Sequence, residues 1–462
     1  MSDDAPQSVV TGGTVVSHRG AVALDIAIRD GRFARIGAPG SLVGTVPASR
    51  VIDAAGLHVL PGVIDSHVHF REPGGEATED FESGSRGAVL GGVTCVFDMP
   101  NTRPAVLGPA ELDAKMALVS RHAWCDFGLY LGADGERLAD MEAAERMPGV
   151  CGIKVFMASS TSDLVIRRAD ALGAIMATGR RLVSLHAEDE DRIEARRPMT
   201  EGADVFVHGA WRDVESALMA TRRAIAEARR HRRRIHILHV STAEEIELIA
   251  ANRDLVTCEV LPQHLFLAAP DCYRDLGALA QQNPPIREAR HRAALRQAVL
   301  DGVVDVIGSD HGPHLLADKA RPYPNRHAGM PGTQTLLPLL LDLVAQGELT
   351  LAHVSDLLAA GPARVFGIAG KGRIAVGGDA DLTLVDMDRT VRIENRMIAS
   401  RVGWTAYDGR EVRGWPVGTI IRGEMVMRDG ALLGAPRGRP ARFVETAAAE
   451  PAAPAAIEEA AP

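Results

Sequence analysis

Basic residues are in short supply in this 462-residue chain: 51 lysines and arginines stand against 60 acidic residues, a net charge of -9. Glu445, Glu450, Glu458 and Glu459 all fall in the last 18 residues, so the remainder is only mildly acidic and offers no basic footprint for nucleic acid. Cysteine is scarce too. The five cysteines contain no CxxC pair and are odd in number, which argues against a disulfide framework and fits a reducing compartment. The opening Met-Ser-Asp-Asp-Ala-Pro lacks the apolar run of a secretory leader. No apolar stretch approaches the roughly 20 residues of a membrane helix, and the richest, Leu336 to Val344, is broken by Pro338 and Asp342. A soluble, cytoplasmic protein is expected. Lysine is the rarest charge of all: Lys115, Lys154, Lys319 and Lys371 are the complete set. A lysine inside an apolar strand would therefore stand out.

What is present varies along the chain. Residues 9 to 60 form short apolar runs punctuated by glycine and by turn pairs such as Asp30-Gly31, the chemistry of hairpins. The same texture returns over 373–434, with Arg373–Val376, Leu382–Asp386, Glu411–Val412, Thr419–Arg422 and Glu424–Met427 as its strands. Between these ends the chain alternates apolar runs with Ala- and Arg-rich helical patterns at 137–146, 215–230 and 288–299. Eight runs read as strands: Val63–Asp65, Thr94–Met99, Phe127–Leu131, Gly152–Phe156, Leu182–Leu185, Ile235–Val240, Thr257–Val260 and Asp305–Gly308. Strand–helix alternation implies parallel strands with crossover helices, and eight is the number that closes a barrel. The first strand has no Gly-rich phosphate fingerprint after it, which argues against a dinucleotide-binding sheet. The expected fold is an α/β (β/α)8 barrel over 61–368. A small β-sandwich would be built from 1–60 and 369–434, with a disordered Ala/Pro/Glu tail over 435–462.

A barrel of this kind carries its chemistry at the C-terminal ends of its strands. The first strand runs into Asp65-Ser66-His67-Val68-His69, and residues two apart share a face, so both imidazoles reach the mouth. Gly152-Ile153-Lys154-Val155-Phe156 buries a lysine in a strand, which is costly unless the amine is paired or neutralised. A carbamate, formed with carbon dioxide, would turn it into an anionic ligand able to bridge two cations. His186, His239 and Asp310 end three further strands. Imidazoles with carboxylate-type oxygens suit zinc, with manganese or iron as alternatives. Two such ions sharing an oxygen would give hydroxide at neutral pH, with Asp310 as general base and acid, which points to hydrolysis or its reverse. Arg71, two residues beyond His69, suits a substrate carboxylate, against the plainer reading of an ion pair with Glu72 or Glu79. Asn101, Asn283 and His314 lie on further mouth loops. His208, His236, His264 and His311 remain open.

The string Pro61 to Gly74, with Asp65-Ser66-His67-Val68-His69-Phe70-Arg71-Glu72-Pro73-Gly74 at its end, resembles the signature of the dihydroorotases within the cyclic amidohydrolases. Asp98-Met99-Pro100-Asn101-Thr102, His186-Ala187-Glu188-Asp189, His239-Val240-Ser241-Thr242, Asn283-Pro284-Pro285 and Gly308-Ser309-Asp310-His311-Gly312-Pro313-His314 continue the likeness over residues 9 to 430. The resemblance implies two zinc ions. His67, His69, N-carboxylated Lys154 and Asp310 would hold one; Lys154, His186 and His239 would hold the other. It places Arg71, Asn101, Asn283, His314 and the Pro331 and Gly332 backbone at the substrate. The reaction implied is the reversible cyclisation of N-carbamoyl-L-aspartate to (S)-dihydroorotate in pyrimidine synthesis. It also implies a homodimer or homotetramer and an association with aspartate transcarbamoylase, which some members that have lost their ligands serve as non-catalytic partners; every ligand position is kept here. Allantoinases and hydantoinases share barrel and ligands. The Met330 to Pro338 stretch resembles them, whereas Arg71 fits their uncharged rings less well.

Overall fold

The computed structural model describes residues 6–159 and 164–444. At its centre lies an eight-stranded parallel sheet: β1 (Val63–Val68), β2 (Val93–Asp98), β3 (Asp126–Gly132), β4 (Val150–Phe156), β5 (Val183–His186), β6 (Ile235–Ile237), β7 (Val256–Val260) and β8 (Val306–Ile307), bonded in chain order. Each strand falls on one of the eight apolar runs, as expected of segments buried on both faces. The sheet curls until its edges meet. His69 N donates to the His311 carbonyl at 2.9 Å and His311 N to the His67 carbonyl at 3.3 Å, while Ser309 N donates to the Asp65 carboxylate at 3.0 Å.

Helices return the chain between strands. In Val214–His231 the Asp213 side chain caps the first turn by accepting from Ser216 N. Ala217, Ala220, Ala224 and Ala228 recur at helical spacing on its buried face, where their small side chains let the helix lie close to its neighbours. Because all eight strands run the same way, their C-terminal ends open into one mouth.

The sandwich takes strands from both ends of the chain. One sheet holds Ser8–Thr11, Asp25–Arg29, Arg32–Gly37 and Val51–Asp53. The other has seven strands, with His58–Pro61 paired antiparallel to Leu382–Arg392. Val10, Ile26, Ile28 and Phe33 from the first pack against Val59, Leu382, Leu384 and Ile420 from the second. Asp30-Gly31 and Asp429-Gly430 make tight turns with both residues at positive φ, the geometry that lets a two-residue turn follow the strand twist.

Two expectations need correction, and one strand goes beyond them. Arg373–Val376 is not a strand: Gly378 N folds back onto the Ala375 carbonyl and Gly377 N bonds the Phe33 carbonyl, so the segment turns instead of pairing along its length. Gly20–Ala23 adds an exposed strand at the edge of the seven-stranded sheet. The tail does not begin at 435. Gly438 N donates to the Ala123 carbonyl, Phe127 N to the Arg439 carbonyl and Ala441 N to the Phe127 carbonyl, and Phe443 is wholly buried against Phe97. Residues 445–462 lie outside the described residues. No described helix is long and apolar enough to cross a membrane.

A buried ion cluster joins sandwich to barrel. The Lys371 ammonium lies 2.7 Å from Asp126 at the start of β3 and 3.3 Å from Asp379, and it donates to Asp381. These three carboxylates could otherwise hold a cation; the ammonium takes that place. Burial works against the charge, but Asp126 and Asp381 hold the Lys371 pKa well above its ordinary value. Lys371→Met leaves the carboxylates without their central cation and is expected to destabilise the protein by about 3 kcal/mol. An unchanged urea unfolding midpoint would contradict this.

Candidate metal centre

At the mouth, β1 and the residues after β8 converge. Asp310 Oδ1 lies 3.2 Å from His67 Nε2 and 3.3 Å from His69 Nε2, and one ligand atom from each of the three falls within 4.8 Å of the others. His239, beyond β6, places its ring 5.5 Å from that of His67 and 4.6 Å from that of His186, which ends β5. Lys154 on β4 is 1% exposed, and its charge acts on His186 and His239. Five strands thus bring all six expected ligands together.

The electrostatics suit metal binding. Burial pushes the His69 pKa down to about 3, with Arg71 adding to the effect, and lowers those of His186 and His239 as well. These imidazoles are neutral and keep a lone pair. Burial opposes ionisation of Asp310, yet His67 and His69 hold its carboxyl well below the usual range. Lys154 is pushed down to about 7 by burial, against the pull of Asp310 and Glu259. Among the described residues no carboxylate reaches ion-pair distance of its amine, which rests over the Phe156 ring. The His239 Nδ1 atom is buried without a hydrogen-bond partner among the described residues. Unprotonated nitrogens, an ionised carboxylate and an orphaned nitrogen make a donor set that fits divalent cations.

A second layer of residues orients the ligands, and the sequence reading missed most of it. Glu259 on β7 accepts from His67 Nδ1 at 2.7 Å, from the Ser66 hydroxyl at 3.1 Å and from His239 N at 3.3 Å, thereby turning His67 Nε2 toward Asp310. Its signal was available: it is the one charge in its own run, Thr257–Val260, as Lys154 is in Gly152–Phe156. Glu188 accepts from His186 Nε2 at 2.8 Å, which leaves Nδ1 free for a ligand role, and it is clamped by the buried Arg212 guanidinium. Asn101 Oδ1 lies 2.9 Å from His69 Nδ1, so this expected substrate residue also orients a ligand. Of the seven described non-glycine residues at positive φ, Asp30, Arg422 and Asp429 lie in hairpin turns and Arg232 ends a helix. The others are Arg71 (φ 61°), His239 (φ 39°) and Asp310 (φ 45°). Strain thus concentrates at the site.

The rim carries the remaining expected residues. Arg71 does not pair with Glu72 or Glu79. Glu72 accepts from Phe81 N and meets His122, and Glu79 is taken by Ser83, Ser400 and His311. Instead, Arg71 Nη2 lies 3.3 Å from His314 Nε2, and its Nε is buried without a partner among the described residues. Asn283 Oδ1 lies 3.0 Å from His208 Nε2, away from the ligand cluster's own bonds. Gly332 N donates to His311 Nδ1 at 3.1 Å, so that amide is committed and the Pro331 carbonyl is the acceptor this segment offers. His264 Nε2 meets the Pro284 carbonyl and His236 Nδ1 meets Thr257; both are packing histidines.

Residues 58–426 match the model of the amidohydrolase family. The dihydroorotase of Halobacterium salinarum is 39% identical over 91% of this chain and 99% of its own length, and that of Methanothermobacter thermautotrophicus is 36% identical over 89% and 93%. An allantoinase of Rubrobacter xylanophilus is 37% identical over 93% and 96%. The solved L-hydantoinase of Arthrobacter aurescens superposes with a TM-score of 0.89 at 30% identity, covering 95% of this chain and all of that one. The chain belongs to the amidohydrolase family and is an enzyme of that class.

Glu259→Gln keeps the shape of the side chain but weakens the acceptor that orients His67. It is expected to lower metal affinity by about 10–100-fold, read by competition with a chromophoric chelator. Wild-type affinity would show that Glu259 does not orient the ligand.

Proposed function

We propose that this protein is a zinc-dependent dihydroorotase, interconverting (S)-dihydroorotate and N-carbamoyl-L-aspartate in pyrimidine synthesis. The observation that carries the reading is Arg71: a guanidinium at the mouth, beside His69 and Asp310, with a buried Nε that no group among the described residues satisfies. A ring carboxylate would supply its missing partner. His67, His69, Lys154 and Asp310 would hold one zinc and Lys154, His186 and His239 the second, with Lys154 as a carbamate. In that modification the amine nitrogen bonds the carbon of carbon dioxide and releases one proton, which resolves a buried amine lacking a carboxylate partner among the described residues. The metals, when bound, polarise the amide carbonyl and acidify water near neutrality. Asp310 takes the proton of the attacking water and delivers it to the amide nitrogen as the ring opens. Arg71 grips the carboxylate, and Asn101, Asn283, His314 and the Pro331–Gly332 segment complete the substrate contacts.

The second reading is an allantoinase or hydantoinase, favoured by the likeness to the Rubrobacter xylanophilus and Arthrobacter aurescens proteins. Arg71 separates the two. The zinc-loaded protein, assayed side by side, is expected to show its highest kcat/KM on dihydroorotate; faster turnover of allantoin or hydantoin would overturn the reading. Arg71→Ala should lower kcat/KM on dihydroorotate several hundredfold, from the roughly 2–5 kcal/mol that a buried charged pair contributes. An unaltered value would remove Arg71 from the site.

A further inference from the structure

All four lysines of this chain are buried, although lysine is almost never buried without a partner. Lys115 pairs with Asp98, Lys371 with its carboxylate cluster, and Lys154 belongs to the metal centre. Lys319 has no carboxylate at all among the described residues, and no step of the reaction uses it. Its ammonium donates to three backbone carbonyls, Gln281 at 3.0 Å, His327 at 3.1 Å and Gly329 at 2.9 Å. That is the oxygen cage a dehydrated cation would take, filled here by a tethered one. Burial, and after it Arg326, lowers the Lys319 pKa to about 7.

The cage joins two segments. Gln281 stands two residues from Asn283. His327 and Gly329 belong to the loop that returns to Pro331, and in that loop the Ala328 carbonyl meets His314 Nε2 at 3.0 Å. The His327 ring stacks on His314 at 4.8 Å, and Trp404, whose ring lies 5.9 Å from the Lys319 ammonium, donates to the His314 carbonyl at 2.8 Å. His314 in turn touches Arg71. One ammonium therefore fastens the rim that carries Asn283, His314 and Pro331, and it adds a second buried positive charge on the side of Arg71.

We propose that Lys319 is a positioning residue that sets the preference of this site for an anionic cyclic amide, by locking the His314–Arg71 rim and holding its ammonium beside it. The inference rests on the dihydroorotase reading. Its test is the affinity of the zinc-loaded enzyme for orotate and for methyl orotate, which lacks the charge, measured by calorimetry at about pH 6, where the Lys319 amine is protonated. The wild type is expected to prefer orotate. Lys319→Met should weaken orotate by about tenfold, the size of one charge interaction across a partly buried site, with methyl orotate held within about twofold. Equal weakening of both ligands means a structural role only, and an intact preference means no role; either overturns the inference while the dihydroorotase reading stands. A wild type with no preference overturns both, and is recognised before any variant is made. Should the methionine variant not fold, Lys319→Gln keeps an N–H for the carbonyl cage without the charge, and the same two affinities decide.

Discussion

Lys154 sits in the middle of a closed, apolar strand, and the rest of the site is arranged around that fact. An ammonium there would lose most of its hydration, and among the described residues no carboxylate reaches it to replace that loss. The surroundings do not supply the missing anion; they supply lone pairs. His69, His186 and His239 are kept neutral by burial, Asp310 is kept ionised by its histidines, and His239 leaves a nitrogen unsatisfied. The group is poorly balanced as a set of side chains alone. With an anionic Lys154 and divalent cations its charges and donors balance.

Holding such a group demands a rigid frame. Positive φ at Arg71, His239 and Asp310 stores strain of about 1–3 kcal/mol each. The frame that meets it is local: the seam where His69 N bonds the His311 carbonyl and His311 N the His67 carbonyl, with Asp65 bracing Ser309, and Glu259 gripping both His67 and the backbone of His239. The barrel supplies direction and these few bonds supply position.

Much of this was legible in the residues. Eight apolar runs became eight strands because a parallel strand buried on both faces must be apolar, and the polar residues at their ends then had one place to gather. Lys154 was conspicuous because lysine is so rare in this chain. Other features stayed hidden for physical reasons. Glu259 stands out as a charge in an apolar run, but which donors it serves comes into view only in the fold. Arg71 has Glu72 and Glu79 as sequence neighbours, yet both are drawn off by Phe81, Ser83, Ser400 and His311, and only the folded chain reveals the guanidinium's orphaned nitrogen. The tail's composition, averaged from 435 onward, conceals a single anchoring Phe443. The Gly332 amide, expected to face substrate, is claimed by His311, a histidine whose role no spacing announced.

The central claim is that Lys154 is a carbamate bridging two metals. Carbon-13 NMR of the zinc-loaded protein equilibrated with labelled bicarbonate tests it directly. The account predicts one slowly exchanging carbamate carbon per chain, lost in Lys154→Ala together with the paired metals. Two tightly bound metals in wild-type protein that shows no carbamate carbon would contradict it.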